Sequence, residues 1–411
     1  MKTMQKNALV TLLALVVLAA TSALAEADVV TDWNITAGDI VVAAKIPPPP
    51  AYRVMAVVQT AVYEAVNAVT QRYPSNGVKL NVATGASVEA AVAAASRAVL
   101  SKLIPSQQAA IDSAYQAALA AIPSVAGKPE GIAVGEKAAA AVLALRADDG
   151  GTPLEDYRPR AAAGVYVPTV IPAVPHWPRR KPWVMGSAEQ FRPGPPPGLS
   201  SSLWARDYNE IKALGAKNST QRTAEQTAIA RFWEATQPTI YFPVVRSVAS
   251  MAGREVTQNA RLLAVASQGM DDALIAVFDA KYHYEFWRPV TAIRNGDIDG
   301  NDATERDASW VPFIDTPMHP EYPCAHCINS AAIGAVLQAE IGAGPTPTLS
   351  TASPTASGMV RTWTRIEDFV QEVANGRIYD GVHYRTSTEV GSAMGKRIGE
   401  LAAMKYLRPV K

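Results

Sequence analysis

Apolar residues recur every three or four positions through most of this chain, which is the spacing of one buried face of an α-helix. The stripe is clearest from Tyr52 to Val69, where valine and alanine fill one helical face. The same pattern predicts further helices over 87–103, 106–121, 131–146, 201–214, 220–234, 244–268, 271–287, 326–341, 362–376 and 388–406. No segment alternates strongly enough to predict a sheet. The predicted fold class is therefore all-α, built of packed helix bundles.

Proline interrupts this pattern in several places. Residues 47–50 are four consecutive prolines, which we expect to form a stiff extended lead-in and not a helix. Residues 151–200 are also rich in proline, which forbids long regular structure there. Four aromatic or imidazole side chains would let this segment pack down as a covering loop: His176, Trp177, Trp183 and Phe191. Turn-rich loops are predicted over 295–323 and 342–357.

The first 25 residues have the pattern of a secretory signal peptide. A positively charged start precedes an apolar run from Ala8 to Ala20, and small residues follow at Ala23 and Ala25. We therefore expect a signal peptide over 1–25 and one helical domain over 26–411. The protein would then be exported, to the periplasm or beyond the cell. The alternative is an uncleaved amphipathic anchor.

Composition excludes several classes of function. The net charge is +1 and the basic residues do not cluster, so we expect no nucleic-acid partner. Past the N-terminal segment no long apolar run occurs, so no integral membrane function is expected. Two cysteines allow one disulfide but not a disulfide scaffold.

Lys281 and Arg288 are the first candidates for chemistry. Seven residues correspond to two helical turns, so the sequence predicts both cations on one side of a helix that Pro289 ends. Two cations on one face repel each other unless an anion or an acid lies between them, and Asp279 or Glu285 could be that acid. Without such a partner, the pair would be a solvated surface.

Two further groups could join them. Small residues precede His326 at a predicted helix start, where free backbone N–H groups and the helix dipole favour an anion. Later in the chain, Gly381 predicts a turn that brings His383 back toward Arg377. A guanidinium suits phosphate-like oxygens, and an imidazole can be a nucleophile or a metal ligand. The sequence thus favours a pocket for a tetrahedral oxyanion.

These three pieces, in this order, resemble the motif of the vanadium-dependent haloperoxidase and type 2 phosphatidic acid phosphatase superfamily. That motif reads Lys, six residues, Arg-Pro; then Pro-Ser-Gly-His; then Arg, five residues, His. The segments YRVMAVVQTAVYEAVNAV, LRADDGG, RTAEQTAIARFW and DIDGNDATERDASWVPF also look like bacterial members of the haloperoxidase branch. The resemblance implies the helical bundles of that family over nearly the whole mature chain, with the site in about 260–411.

The resemblance implies vanadate as the cofactor. Lys281, Arg288 and Arg377 would neutralise its equatorial oxygens, and His383 would bond to vanadium. Cys324 and Ala325 would occupy the positions of the family's serine and glycine, whose hydroxyl and N–H contact the oxyanion. The partners implied are hydrogen peroxide, a halide and an organic acceptor. Family members often form homo-oligomers, and no pattern in this sequence predicts an interface.

Two histidines would carry the remaining roles. His326 would be the acid–base group at the apical oxygen, where peroxide arrives. His319 matches a position that is histidine in bromoperoxidases and phenylalanine in the fungal chloroperoxidase type. The resemblance therefore favours bromide or iodide as the halide.

The sequence departs from the family where Cys324 and Ala325 replace serine and glycine. A thiol is a weaker donor than a hydroxyl, and alanine crowds the anion. Cys324 and Cys327 have the spacing of a dithiol redox site, and in an exported protein we expect a local disulfide in preference to free thiols. The bond would protect vanadate from reduction but remove the donor at 324.

Two other functions remain open from the sequence. The first is an acid phosphatase on the same site, with a phosphoester as substrate, His383 as nucleophile and His326 as acid. The second is a degenerate, non-catalytic protein that binds an oxyanion and retains only the dithiol chemistry.

Overall fold

The computed structural model describes residues 28–74, 78, 80, 85–123, 127–152 and 157–406, the side chain of residue 406 excepted. The predicted signal peptide over 1–25 lies outside the described residues. Within the described part the chain is mostly helical, as predicted. The first five helices are α1 (Val29–Ala43), α2 (Pro48–Thr70), α3 (Val88–Leu103), α4 (Gln108–Ala121) and α5 (Lys128–Leu145).

The beginnings of these helices follow from their caps. Ser87 accepts a hydrogen bond from Ala90 N at 3.1 Å and so caps α3, at the residue where the predicted helix over 87–103 begins. The prediction that residues 47–50 are extended was wrong, because α2 begins at Pro48. Proline is tolerated in a first helical turn, whose N–H groups have no partner within the helix.

Five helices occupy the middle of the chain: α6 (Ser202–Leu214), α7 (Ala224–Trp233), α8 (Phe242–Ala249), α9 (Val256–Tyr284) and α10 (Pro289–Arg294). Two predicted boundaries were wrong here. The chain breaks at 250–255, where Gly253 has a φ of 79°, and then continues as one helix through Gly269. An isolated glycine costs helical stability without ending a helix that is buried along most of its length.

The start of α7 also differs from its prediction. The helix was predicted from 220, but Thr223 caps it and forms a capping box with Gln226. Ser219 instead accepts from Gln221 N and Arg222 N in the preceding turn.

The C-terminal part contains α11 (Ala325–Ile341), α12 (Ile366–Tyr379) and α13 (Arg385–Tyr406). Between α11 and α12, β1 (Leu349–Ala352) pairs antiparallel with β2 (Val360–Trp363). This hairpin was not predicted, since its strands have only four residues each. It adds a small element to a helical fold and leaves the predicted class correct.

Helix α9 lies at the centre of the molecule, and its residues from Ala260 to Lys281 are all buried. It packs against α2, α11 and α13. Helices α11 and α13 approach closely: a Cβ on Gly395 would lie 2.0 Å from Ile328 O, and one on Gly399 would lie 2.2 Å from Ala332 O. Glycine at these positions lets the two backbones meet, which fixes where α11 begins.

The proline-rich segment is an arm that packs on the body, as predicted. From 157 to 200 its regular structure is one 3-10 turn, Trp177–Arg179, and an isolated bridge between Val165 and Phe286. Asp271 of α9 pairs with Arg180, and Asp272 accepts from Trp183 N. Among the residues described, no helix combines the length and apolar character that crossing a bilayer requires.

Candidate active site

A cavity of about 490 Å³ opens where the ends of several helices meet. Apolar and aromatic side chains form much of its wall, from α2, α9 and the loop before α11. One part of the wall carries polar groups that were predicted as site residues: His319, Ala325, His326, Arg377 and His383. The structure therefore brings residues from distant parts of the sequence to one enclosed space.

Lys281 and Arg288 lie next to this wall without lining the cavity, and they do not share one helical face. Glu285 has a φ of 48° and ends α9, and Arg288 lies beyond it as the N-cap residue of α10. The arm holds this connection, since Trp287 N donates to Gly164 O at 3.0 Å. The prediction that Pro289 ends a helix was also wrong, because Pro289 begins α10.

Lys281 is fully buried and donates from Nζ to Pro320 O at 3.0 Å and to Glu321 O at 2.7 Å. Burial lowers the pKa of its ammonium group well below the usual range, and the charge of Arg288 acts in the same direction. An ammonium group has three donors, and these two bonds use two of them.

Arg288 lies beside two histidines. Its Nη2 is 3.0 Å from His319 Nδ1, and its Nη1 is 3.4 Å from His383 Nε2. Its remaining bonds go to the carbonyl oxygens of His319 and Val382. Burial lowers the pKa of this guanidinium to about 10. Because a guanidinium only donates, His383 Nε2 faces it with a lone pair. His319 Nδ1 lies between this donor and Pro320 O, which is an acceptor at 3.1 Å.

The acid near these cations is Glu321, which sequence reasoning missed. The two acids considered from the sequence point elsewhere: Asp279 pairs with Arg192 at 2.7 Å and Glu285 with Arg160 at 3.1 Å. Glu321 is fully buried, and burial raises the pKa of its carboxyl to about 7. Its position five residues before His326 lies on no shared helical face, so no spacing in the sequence identified it.

Glu321 fixes the ring of His383. Its Oε1 lies 2.8 Å from His383 Nδ1 and accepts from Tyr384 N at 3.0 Å. Since Oε1 already acts as an acceptor, His383 Nδ1 carries the proton and Nε2 has the lone pair. Burial lowers the pKa of His383 well below its usual value, so the ring is neutral.

The predicted turn before His383 is present. Gly381 has a φ of 80°, and a Cβ there would lie 2.3 Å from Gly215 O. Glycine is required both by the left-handed backbone and by the close approach. The turn returns His383 N to within 3.2 Å of Arg377 O.

Arg377 is buried and pairs with Asp380, its Nη1 lying 2.5 Å from Asp380 Oδ2. Nη1 also donates to Trp233 O at 2.6 Å, while Nε has no hydrogen-bond partner among the described residues. Burial raises the pKa of Asp380 to about 7. Asp380 is a second site residue that the sequence did not reveal.

His326 lies in the first turn of α11, as predicted. Its Nε2 is 3.0 Å from Ala235 O, and a carbonyl only accepts, so Nε2 carries the proton of a neutral ring. Burial lowers the pKa of His326 well below its usual value, and the charge of Arg377 adds to this. On the cavity's other side, the His319 ring meets Phe278 edge to face at 5.1 Å between centroids.

Cys324 and Cys327 are joined in a disulfide, and both are fully buried. Cys324 caps α11 by accepting from Cys327 N at 3.1 Å. The bond leaves no thiol donor at 324, and Cys324 does not line the cavity, whereas Ala325 does. What α11 presents to the cavity is therefore its first turn, with the free N–H groups of a helix start.

The charges of this region suit an anion. Three buried cations, Lys281, Arg288 and Arg377, face two buried carboxylates, Glu321 and Asp380. The surplus positive charge, together with the unpartnered Nε of Arg377, is what a bound tetrahedral oxyanion would offset. The donor set therefore fits vanadate or phosphate.

Sequence comparison supports the resemblance in the C-terminal part of the chain. Residues 261–411 match the family described as the VCPO second helical-bundle domain. The vanadium chloroperoxidase of Curvularia inaequalis is 31% identical over 170 residues, which are 34% of this chain and 28% of that relative. The match thus spans less than a third of the relative's length.

Structure comparison extends the similarity to most of the chain. A bacterial vanadium-dependent iodoperoxidase superposes with a TM-score of 0.80 at 24% identity, covering 94% of this chain and 97% of that one. The holo-type structure of a bacterial vanadium-dependent chloroperoxidase superposes with a TM-score of 0.69 at 18% identity, covering 87% of this chain and 92% of that one. Together with the sequence matches, these likenesses confirm the predicted fold and the resemblance to the vanadium haloperoxidase family.

Proposed function

We propose that this chain, a vanadium haloperoxidase homologue in fold and in its second helical bundle, oxidises halide with hydrogen peroxide at a vanadate held in the cavity. The observation that carries the proposal is the surplus of buried positive charge around an oriented, neutral His383. When bound, vanadate supplies a Lewis acid that activates peroxide toward halide. The chain's own residues then have distinct roles.

The cations hold the oxyanion. Lys281 has a donor left after its two carbonyl bonds, and Arg377 has its unpartnered Nε. Arg288 neutralises charge from beside His383 and His319. These groups are already in place and desolvated, so little reorganisation is needed when negative charge enters.

The histidines divide the remaining work. His383 offers its Nε2 lone pair to the oxyanion's central atom, because Glu321 holds the proton at Nδ1. His326, neutral and at the wall of the cavity, accepts and returns the proton of incoming peroxide. The pairing of each ring with a fixed acceptor sets which of its nitrogens carries the proton before peroxide arrives.

We further propose that the halide is bromide or iodide. His319 stands where the resemblance distinguishes bromoperoxidases from the fungal chloroperoxidase type, and it lines the cavity beside Phe278. The iodoperoxidase named among the structural relatives supports this preference. Rates with iodide, bromide and chloride at equal concentration provide the test, and a preference for chloride would contradict it.

The decisive experiment reconstitutes purified protein with vanadate. We expect vanadium to remain after desalting, as measured by elemental analysis, and a phenol to be brominated in the presence of peroxide. His383→Ala should lose the retained vanadium. His283→Ala is the matched control, since His283 is exposed and does not line the cavity. Vanadium retained equally by His383→Ala would show that His383 is not the ligand.

A phosphatase is the second candidate, because the lone pair on His383 Nε2 could equally attack phosphorus. Hydrolysis of p-nitrophenyl phosphate without vanadate, with no bromination in its presence, would favour it. Absence of both activities and of retained vanadium would instead indicate a non-catalytic protein of the same fold.

We also propose export with cleavage after Ala25. The disulfide between Cys324 and Cys327 supports it, since such bonds persist in oxidising compartments. N-terminal sequencing of the protein from its native host, beginning at Glu26, would be the expected result; an intact Met1 would contradict it.

A further inference from the structure

The disulfide between Cys324 and Cys327 lies next to the candidate active site without belonging to its donor set. Ala325 and His326 separate the two cysteines in the sequence, and both of them line the cavity. The cysteines themselves are fully buried and do not line it. A sulfur pair is therefore held one residue away from the wall at which peroxide would react.

The residues around the bond come from the helices that carry the site. Cys324 and Cys327 pack with Ala374 of α12, which lies one turn before Arg377. A Cβ on Gly391 of α13 would lie 2.7 Å from Cys324 O and 3.3 Å from Cys327 Cβ. Because neither sulfur is exposed, a thiol reductant of peptide size reaches the bond only when the start of α11 opens.

The start of α11 also makes one of the two sulfurs reactive in the reduced form. Cys324 is the N-cap residue, and its Sγ accepts from Cys327 N at 3.1 Å. This hydrogen bond and the helix dipole stabilise negative charge on the sulfur, and the thiolate is the form of cysteine that attacks peroxide. Cys327, to which Cys324 is bonded, is placed to resolve the oxidised sulfur.

Hydrogen peroxide differs from a thiol reductant both in size and in its route to the pair. The proposed reaction brings peroxide into the cavity, where Ala325 and His326 form the adjacent wall. A molecule of two oxygen atoms passes a side chain that shifts locally, whereas a larger thiol requires unfolding of the turn. The buried position therefore favours closing of the bond over its opening.

We propose that Cys324 and Cys327 form a second peroxide-reactive site, at which hydrogen peroxide closes the disulfide of the newly made, reduced chain. The choice of peroxide as the oxidant rests on the proposed function. Closing removes both thiols from beside the oxyanion donors. The pair thus clears its own reductant from the site with the same peroxide that the site would use.

The reaction balances in two steps. The Cys324 thiolate attacks one peroxide oxygen and the O–O bond breaks, so that the sulfur becomes a sulfenic acid. The leaving hydroxide takes up the proton that the thiol released and becomes water. The Cys327 thiol then attacks the same sulfur, and the S–O bond breaks to release a second water. Two thiols are oxidised to one disulfide, and one peroxide is reduced to two waters.

Closing can be measured without vanadate. The bond is reduced in mild denaturant, the protein is refolded and desalted under nitrogen, and both thiols are titrated before peroxide is added. An equimolar amount of hydrogen peroxide should remove both thiols and give a chain lighter by two hydrogens. The rate should be about tenfold or more above that of the same reduced chain kept unfolded in urea, which has no helix start. An equal or lower rate in the folded chain would overturn the proposal.

Two single variants test which sulfur attacks. Cys327→Ser retains Cys324 without a resolving thiol, so peroxide should leave a sulfenic acid that dimedone labels. Cys324→Ser is the matched control, because serine also caps a helix, and its labelling should be about tenfold slower or less. Equal labelling of the two folded variants would contradict the role of Cys324. If circular dichroism shows a variant to be unfolded, the rates of the unmodified chain decide alone.

The result is separable from the haloperoxidase assay. Fast closing in a protein that neither retains vanadium nor brominates phenol would support the dithiol site and contradict the proposed function. Bromination by a protein whose thiols react no faster folded than unfolded would support the proposed function and overturn the dithiol site.

Discussion

Two clusters of buried charge in the described part of the chain differ in the balance of positive and negative groups. The first joins α2, the end of α5 with the loop after it, the arm and α9 through three arginines and three aspartates: Arg53, Arg146, Arg180, Asp149, Asp271 and Asp272. The second lies beside the cavity and has three cations and two carboxylates, of which Arg377 lines the cavity. Equal opposite charge serves to hold chain segments together, whereas surplus charge beside an open space serves a ligand.

The electrostatics of the two clusters differ accordingly. Burial alone would raise the pKa of Asp149, but bonds from Arg53 and the charge of Arg180 lower it to about 2. In the second cluster burial dominates, so the pKa of Lys281 falls and the pKa of Glu321 rises. Ion pairing thus keeps Asp149 charged in the first cluster, whereas a bound anion would be needed to offset the buried positive charge of the second.

The largest expected effect on stability comes from a substitution in the first cluster, whose positive and negative groups are equal in number. Asp149→Asn should lower the free energy of unfolding by about 3–5 kcal/mol, because Arg53 and Arg180 would lose their shared partner in a buried setting. Denaturant titration measures this, with Asp112→Asn as the control, since Asp112 pairs with Arg97 at the surface and its loss should leave the midpoint nearly unchanged. If Asp149→Asn unfolds at the same denaturant midpoint as the control, the first cluster does not stabilise the fold as proposed.

The free energy of unfolding should depend on pH through the buried carboxyl of Asp272. Burial raises the pKa of its carboxyl from 3.8 to about 6, so its contribution to stability is fully present below pH 3.8 and is lost as pH rises through 6. A shift of about two units corresponds to roughly 3 kcal/mol. Asp272→Asn should lose this dependence, so its unfolding free energy should fall less than that of the unmodified protein between pH 4 and pH 7. Parallel curves for the two proteins would contradict the assignment.

Lys281→Met should weaken vanadate binding without lowering stability, whereas Asp149→Asn should lower stability. We expect vanadate affinity to fall about 100-fold, equivalent to about 2.7 kcal/mol. The substitution removes one of the three buried cations, and with it the excess positive charge of the site. The stability of the ligand-free protein should stay the same or rise, since a desolvated charge is removed. Vanadate binding by elemental analysis and denaturant titration on the same samples measure both. A large loss of stability would show that Lys281 is structural.

Of the four substituted positions, Glu321 should have the smallest effect in free energy. Glu321→Ala should weaken vanadate binding about tenfold by freeing the His383 ring, and Glu321→Gln, which keeps an acceptor oxygen, should restore part of it. Nitrogen NMR of the metal-free protein should show His383 protonated at Nδ1 in the unmodified chain and a mixture of tautomers in Glu321→Ala. An unchanged tautomer would mean that another group orients the ring.

The sequence predicted those site features that depend on local spacing. His326 in the first turn of α11 and the Gly381 turn before His383 are set by a few neighbouring residues, and both are present. The prediction that Lys281 and Arg288 share one helical face was wrong, because Glu285 adopts a left-handed conformation and ends the helix. A glutamate gives no indication of such a conformation in the sequence. Glu285 N still donates to Lys281 O, so the helix ends with a satisfied cap.

Features that depend on distant contacts were not predictable in this way. Glu321 belongs to the site only because the loop before α11 packs beside Tyr384, and Asp380 only because Arg377 is buried next to it. The continuous α9 likewise depends on burial that compensates for Gly269. Pattern and propensity describe neighbours in sequence, and these residues gain their roles from neighbours in space.

Helix α9 carries both clusters, with Asp271 in one and Lys281 in the other. They are ten positions apart, which corresponds to a rise of about 15 Å, and each residue adds about 100° of rotation. One inserted or deleted residue between the two would leave Asp271 bonded to the arm and turn Lys281 away from Pro320 and Glu321. This segment can therefore vary by substitution but not in length, so gaps in related sequences should fall outside 271–281.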